Sequence, residues 1–404
     1  MKCLGFSGWC AVFGGLLMLG SAEAGELSLA RPFGSHMVLP MERPLPVWGQ
    51  GEAGKEVTVA FGGRTASATV DAGGNWRVQL PALGASSRGR ELAVRCGKES
   101  IRLDDVLVGR VWLCSGQSNM DFPLGRAVGG KEEAAAAASF PGIRLCNLTG
   151  VPTDARRYDE ATFARLNERD HFQGSWQCAG QAGAAAFSAV AWWAGKTIHE
   201  ASGVPVGLVE NAVGGSGAEA WLPRDLLQSE EHYRSLAGGG WLDCGQIGAW
   251  ARGRARQNLG DRLEGEHPFK PGFLFESGVR AWAGFPFDGV LWYQGETNAE
   301  IHDDAWNERL IRDLVTGWRA GLQQKDLPFF MVGLPRIGGT DPLRRWWPEF
   351  RAVQARVAAD VPGVTLVPTV DLGWDSPDVH PPDKRPVGVR LGEKVVGLQN
   401  QSGK

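Results

Sequence analysis

From residue 27 to about residue 103, apolar and polar side chains alternate in short runs. Leu45-Pro46-Val47-Trp48-Gly49, Glu56-Val57-Thr58-Val59-Ala60-Phe61 and Trp76-Arg77-Val78-Gln79-Leu80 each carry the two-residue period of a strand. Turn formers punctuate them at Gly51-Glu52-Ala53-Gly54, Gly62-Gly63, Gly73-Gly74 and Gly97-Lys98. Strands at this spacing, with no helical periodicity between them, predict a small all-β sandwich over residues 25–105.

At residue 106 the pattern changes. Apolar runs at 106–114, 206–213, 289–293, 329–334 and 364–370 now alternate with longer helix-compatible stretches at 183–200, 304–322 and 348–359. Strands that alternate with helices predict an α/β domain over residues 106–404, a three-layer arrangement around a mainly parallel sheet. Ligands of such sheets bind beyond the carboxyl ends of the strands. Ser118, Gly215, Gln294 and His380 each fall just after a predicted strand, so the sheet brings them to one edge.

The chemistry centres on Ser115-Gly116-Gln117-Ser118-Asn119-Met120, where the first apolar run breaks off. A serine on a sharp turn after a strand is lifted out of the sheet, and backbone N–H groups opening a following helix point at what bonds to it. Helix-compatible sequence resumes from about Leu124. Met120 occupies the place of the last glycine of Gly-x-Ser-x-Gly, so the string alone reads equally as a polar strand-to-helix loop. His380 stands out among the seven histidines: it follows the last strand, lies between Ser376-Pro377 and Pro381-Pro382, and has Asp378 two residues before it. His36 falls in the sandwich, and His171, His199, His232, His267 and His302 sit in polar contexts that predict solvated side chains.

The leading residues predict a signal peptide over 1–24: Lys2, an apolar core at 11–20 too short to span a bilayer, and Ala22-Glu23-Ala24 as a cleavage site. That places the mature chain in a secreted or periplasmic setting without stable membrane association. A formal net charge of −3 and the lack of Lys/Arg runs give no electrostatic footprint for nucleic acid. Cys96, Cys114, Cys146, Cys178 and Cys244 remain in the mature chain, an odd set with no Cys-x-x-Cys pair, which allows one or two disulfides and predicts no zinc site. Seventeen Trp against three Tyr supply flat faces for sugar rings as well as core filling, and Trp176, Trp241 and Trp250 lie in polar, weakly periodic stretches placed to form a cleft rim.

Four strings occur in order: Gly116-Gln117-Ser118-Asn119-Met120, Gly214-Gly215-Ser216-Gly217-Ala218-Glu219-Ala220-Trp221, Trp292-Tyr293-Gln294-Gly295-Glu296-Thr297-Asn298, and Asp378-Val379-His380-Pro381. Together they resemble the sialate O-acetylesterase family of the SGNH/GDSL hydrolases, which includes other carbohydrate acetylesterases. The resemblance implies an SGNH-like esterase domain beside a β-sandwich, acetylated carbohydrate as substrate, and no metal or organic cofactor. It implies Ser118 as nucleophile, His380 as base and Asp378 as the acid orienting it, with Asp375 as fallback. Oxyanion donors are implied at the Ser118 and Gly215 N–H groups and at an amide from Gln294 or Asn298, with Gln117 and Glu296 in supporting positions. Acetylxylan or another acetylated polysaccharide is the rival substrate. A glycosidase using Glu219 and Glu296, or a noncatalytic carbohydrate-binding protein, is the reading from a different class. Oligomeric state is not legible.

Overall fold

The computed structural model describes residues 25–237 and 239–402, so the predicted signal peptide lies outside the described residues. Before residue 99 the described chain forms only strands. Ser28–Leu29, Leu45–Gln50 and Asn75–Leu80 make a three-stranded antiparallel sheet. Arg64–Thr69, Glu56–Phe61 and Ser86–Cys96 pair antiparallel in that order and lead onto the long strand Glu99–Gly116. The alternation read from the sequence has its cause in this packing: Trp76, Val78 and Leu80 are buried, while Asn75, Arg77 and Gln79 face outward.

Glu99–Gly116 organises the molecule. Its first half pairs with Ser86–Cys96, and its second half is the central strand of a parallel array. The division expected between residues 105 and 106 therefore falls inside one strand, at Asp105, whose φ of 54° marks a local irregularity. Val38–Pro40 also pairs with this strand, in parallel. One hydrophobic cluster runs without a break from Leu27 and Phe33 to Phe285 and Phe287, so the two regions share a core.

In the array, Ile143–Asn147, Val206–Glu210, Glu99–Gly116, Gly289–Tyr293, Phe329–Val332 and Val364–Val367 lie side by side and parallel, with Trp176–Cys178 antiparallel at one edge. Because the array is continuous with the antiparallel strands before it, the whole eleven-stranded sheet is mixed. Both faces of the parallel part are buried. Trp112, Cys114, Leu291, Tyr293, Phe330 and Val332 face the helices Ala189–Ser202 and Arg385–Ser402. Their neighbours Val111, Leu113, Val290, Trp292, Phe329 and Met331 face Asp304–Gly321 and Trp347–Asp360. Strands covered on both sides read as continuous apolar runs, which explains the pattern after residue 106. On Asp304–Gly321 the buried stripe is Trp306, Leu310, Leu314, Val315 and Trp318, each side chain contributing about 1.5–3 kcal/mol over exposure.

Three expectations are corrected here. The segment predicted as one helix over 183–200 is two, Gln181–Ala186 and Ala189–Ser202, because Phe187 takes extended geometry and the Ser188 side chain caps the second by accepting from Ala191 N–H. The helix Arg385–Ser402 was not anticipated, although Pro386 in its first turn and apolar Val387, Leu391 and Val395 mark it. No disulfide forms among the described residues: Cys96, Cys114, Cys146, Cys178 and Cys244 are free thiols.

Candidate active site

The central strand places the site. Its two neighbours, Val206–Glu210 and Gly289–Tyr293, flank it in register, with Glu210 beside Cys114 and Tyr293 beside Gly116. The loops leaving all three strands thus meet at one edge. Gly116 takes φ 137°, and a Cβ there would lie 2.0 Å from the Tyr293 carbonyl oxygen, so only glycine lets the chain leave the sheet this close to its neighbour. Ser118 then sits on a tight turn closed by Met120 N–H and Asp121 N–H on the Gln117 carbonyl. No α-helix begins at this turn; the next element is the short 3₁₀ helix Leu124–Arg126, so Ser118 is not placed at a helix N-terminus as its sequence had implied.

His380 and Asp378 arrive on the loop between Val364–Val367 and the last helix. His380 Nε2 lies 2.8 Å from Ser118 Oγ, and His380 Nδ1 lies 2.8 Å from Asp378 Oδ1. The His380 backbone N–H also donates to Asp378 Oδ1 at 3.0 Å. Asp375 is turned into solvent, 3.8 Å from the Arg336 guanidinium. Phe122 leans on the imidazole at 6.4 Å between ring centroids.

Two cavities, of about 460 Å³ and about 470 Å³, share Ser118 and His380. Trp250, Arg254, Arg344 and Glu300 line the first, while Phe122, Arg126 and Trp374 line the second. Of the three tryptophans proposed for a rim, Trp250 takes that place and is 43% exposed. Trp176 and Trp241 are core. Trp374, not singled out from sequence, lines the second cavity and donates to the Asp378 carbonyl.

Gly215 lines the first cavity at φ 80°, where an added Cβ would come within 2.5 Å of Trp250. The backbone N–H groups of Ser118 and Gly215 have no hydrogen-bond partner among the described residues. Gln294 and Asn298 line neither cavity, and their amides are committed elsewhere. Gln294 Nε2 donates to Asn298 Oδ1 at 2.5 Å and to Gln117 Oε1 at 3.1 Å, while Asn298 Nδ2 donates to Glu219 Oε2 at 3.0 Å. Gln117 does line the first cavity. Its Oε1 accepts from Gln294 Nε2, Gly295 N–H and Thr297 N–H, which fixes the carboxamide and leaves Nε2 as its free end.

Glu219 and Glu296 do not form a carboxylate pair across a sugar site. Glu219 is buried against Asn298 and lines neither cavity. Glu296 Oε1 accepts from Asn119 Nδ2, and burial raises both carboxyls above their ordinary value. His171 and His267, expected to be solvated, are fully buried, and desolvation lowers each to about 3. Metal-ligating types come together among the described residues at His36, Asp105 and Cys178. There the Arg144 guanidinium already lies 2.6 Å from Asp105 Oδ2, and none of the three lines either cavity.

Residues 272–397 match the family of carbohydrate esterases described as sialic acid-specific acetylesterase. The chain is 26% identical over 426 residues to a sialate O-acetylesterase of Mus musculus, covering 94% of this chain and 75% of the mouse protein. It is 26% identical over 372 residues to that of Homo sapiens, covering 85% of this chain and 65% of the human protein. Among solved structures it resembles a carbohydrate acetylesterase from Xanthomonas citri, at 29% identity and a TM-score of 0.72, over 93% of this chain and 76% of the other. Similar through most of its length to sialate and carbohydrate acetylesterases, the protein is a carboxylic ester hydrolase.

Proposed function

We propose that this protein is a serine esterase that removes O-acetyl groups from carbohydrate, with O-acetylated sialic acid as its first candidate substrate. The observation that carries the reading is the unbroken chain of contacts from Ser118 Oγ to His380 Nε2 and from His380 Nδ1 to Asp378 Oδ1, opening on two cavities. In this reading His380 takes the Ser118 proton as Oγ attacks the acetyl carbonyl. The tetrahedral oxyanion is received by the free N–H groups of Ser118 and Gly215. The sugar oxygen leaves with the proton from His380, and water, deprotonated by the same ring, releases acetate from Ser118. A carboxylate accepts hydrogen bonds only, so Asp378 fixes the Nδ1–H tautomer and leaves Nε2 free to face the serine.

For the third oxyanion donor the geometry supports the Gln117 amide over those of Gln294, which donates to Asn298 Oδ1 and Gln117 Oε1, and Asn298, which donates to Glu219 Oε2. Gln294 and Asn298 then act by holding Gln117 in place. Arg254 supports an acidic sugar. It lines the first cavity over the Trp250 ring, at 5.3 Å, near Asp154 but with no ion pair within 4 Å among the described residues, and so can meet a substrate carboxylate. The relative from Xanthomonas citri is described only as a carbohydrate acetylesterase, and an acetylated neutral polysaccharide is the second reading. The leading segment supports export before the enzyme acts; among the described residues no helix is long and apolar enough to cross a membrane. Acetate release from O-acetylated sialic acid and from acetylated xylan oligosaccharides, side by side, tests the substrate. Release from xylan alone would replace the first reading by the second.

A further inference from the structure

Lys384 is 1% exposed, which for a lysine requires partners. Its ammonium sits 4.7 Å over the Phe122 ring and donates to Asn119 Oδ1. Asn119 follows the serine directly and is fully buried. Its carboxamide is a junction: the oxygen accepts from Lys384, and Nδ2 donates both to Glu296 Oε1 and, at 2.9 Å, to the Val379 carbonyl. Val379 directly precedes His380. The two ends of the segment 379–384, one at the Val379 carbonyl and one at the Lys384 ammonium, therefore close on the same side chain of the serine loop. The histidine is carried between them.

We propose that Lys384 is a positioning residue for hydrolysis: acting through the Asn119 carboxamide, it holds the serine and histidine loops at the spacing that lets His380 Nε2 reach Ser118 Oγ. This rests on the assignment of Ser118 and His380 made above. Two sets of contacts link Lys384 to the imidazole, and the first sets the spacing of the two loops. The first passes through Asn119 and the Val379 carbonyl. The other passes through Phe122, which packs beneath the ammonium and against the His380 ring. Burial lowers the Lys384 pKa to about 7, while the charges of Glu296 and Asp378 oppose that shift. An uncompensated buried ammonium is costly, so the Asn119 oxygen is also what allows the lysine to occupy this place. An error on the order of 1 Å in the spacing of reacting groups costs about 100-fold in rate, so the lysine acts on turnover without touching substrate.

The test is steady-state hydrolysis of 4-nitrophenyl acetate by the full chain carrying Lys384→Met, Asn119→Ala or both, with Ser118→Ala as reference and circular dichroism to establish folding. Lys384→Met should lower kcat by on the order of 100-fold with KM nearly unchanged. The double variant should be no slower than the slower single, because the lysine works through the asparagine. A merely structural lysine would lower the melting temperature and leave kcat of the folded enzyme intact. Multiplicative losses in the double variant, or a parental kcat in folded Lys384→Met, would overturn the proposal. Should Lys384→Met not be recovered folded, Lys384→Leu, which has no donor to offer Asn119, must show the same loss of kcat, and parental turnover there overturns it equally. Activity persisting in Ser118→Ala would instead remove the assignment on which the proposal rests.

Discussion

Asp378 Oδ1 accepts the backbone N–H of His380 at 3.0 Å and lies 2.8 Å from the Nδ1 of the same residue. One oxygen thus fixes both the backbone and the ring of the histidine. Asp378→Asn keeps the shape but offers an amide that can favour the wrong tautomer, and kcat should fall by about 10²–10⁴-fold. Asp375 points into solvent beside Arg336, and Asp375→Asn should leave kcat essentially unchanged. Steady-state kinetics of the two variants decide between them, and the reverse order would move the orienting acid upstream.

Gln117 and Asn298 should separate rate from stability. Gln117→Ala removes the amide at the cavity and should lower kcat by about 10²–10³-fold with KM little changed. Asn298→Ala strips the buried Glu219 carboxylate and the Ala218 N–H of partners. Its principal cost should be about 1–3 kcal/mol of stability, read by urea unfolding. A large kcat effect from Gln294→Ala with none from Gln117→Ala would return the oxyanion donor to Gln294.

Arg254 tests the acidic-sugar reading without touching the serine. Arg254→Ala should raise KM for O-acetylated sialic acid by about tenfold or more, the worth of a charge-assisted hydrogen bond. It should not alter hydrolysis of 4-nitrophenyl acetate. Equal effects on both esters would remove Arg254 from substrate recognition.

His171 and His267 make stability depend on pH. Burial holds both neutral in the fold, at about 3, against about 6.5 in the unfolded chain. The unfolded state therefore binds more protons below about pH 6.5. The stability the two contribute is complete above that value and is lost as pH falls toward 3, at up to about 1.4 kcal/mol per pH unit for each histidine. Neither ring nitrogen of His171 has a partner among the described residues, and Phe172 and Phe273 pack edge-on against it. His171→Phe should flatten the fall of the urea midpoint between about pH 7 and about pH 5. A slope as steep as the parent's would show that His171 does not take up a proton on unfolding.

What the sequence showed and what it hid follow from where the information resides. Ser118, His380 and Asp378 could be singled out through the family resemblance of four strings in order, since Gly116-Gln117-Ser118 alone reads equally as a polar loop. The central strand was legible from residue 106, where the apolar run begins, but the change of pattern there read as a boundary, whereas one strand runs through Asp104 and Asp105. Asp105 is held in place by Arg144 and His36, residues far away in sequence. Lys384 follows Pro381-Pro382-Asp383, a stretch that reads as solvated. Its burial is created by the serine loop and Phe122, which only the fold brings to it. The amides of Gln117, Gln294 and Asn298 are chemically alike, and which of them faces the cavity is decided by partners on the loops that follow three strands.

The most direct measurement is mass spectrometry of the protein quenched during turnover of an acetyl ester, parent beside Ser118→Ala. The account predicts that the parent carries one added acetyl group on the peptide containing Ser118, that folded Ser118→Ala carries none, and that acetate release disappears with it. Acetate release that persists in Ser118→Ala, or an acetyl group found at another residue of the working enzyme, would contradict it.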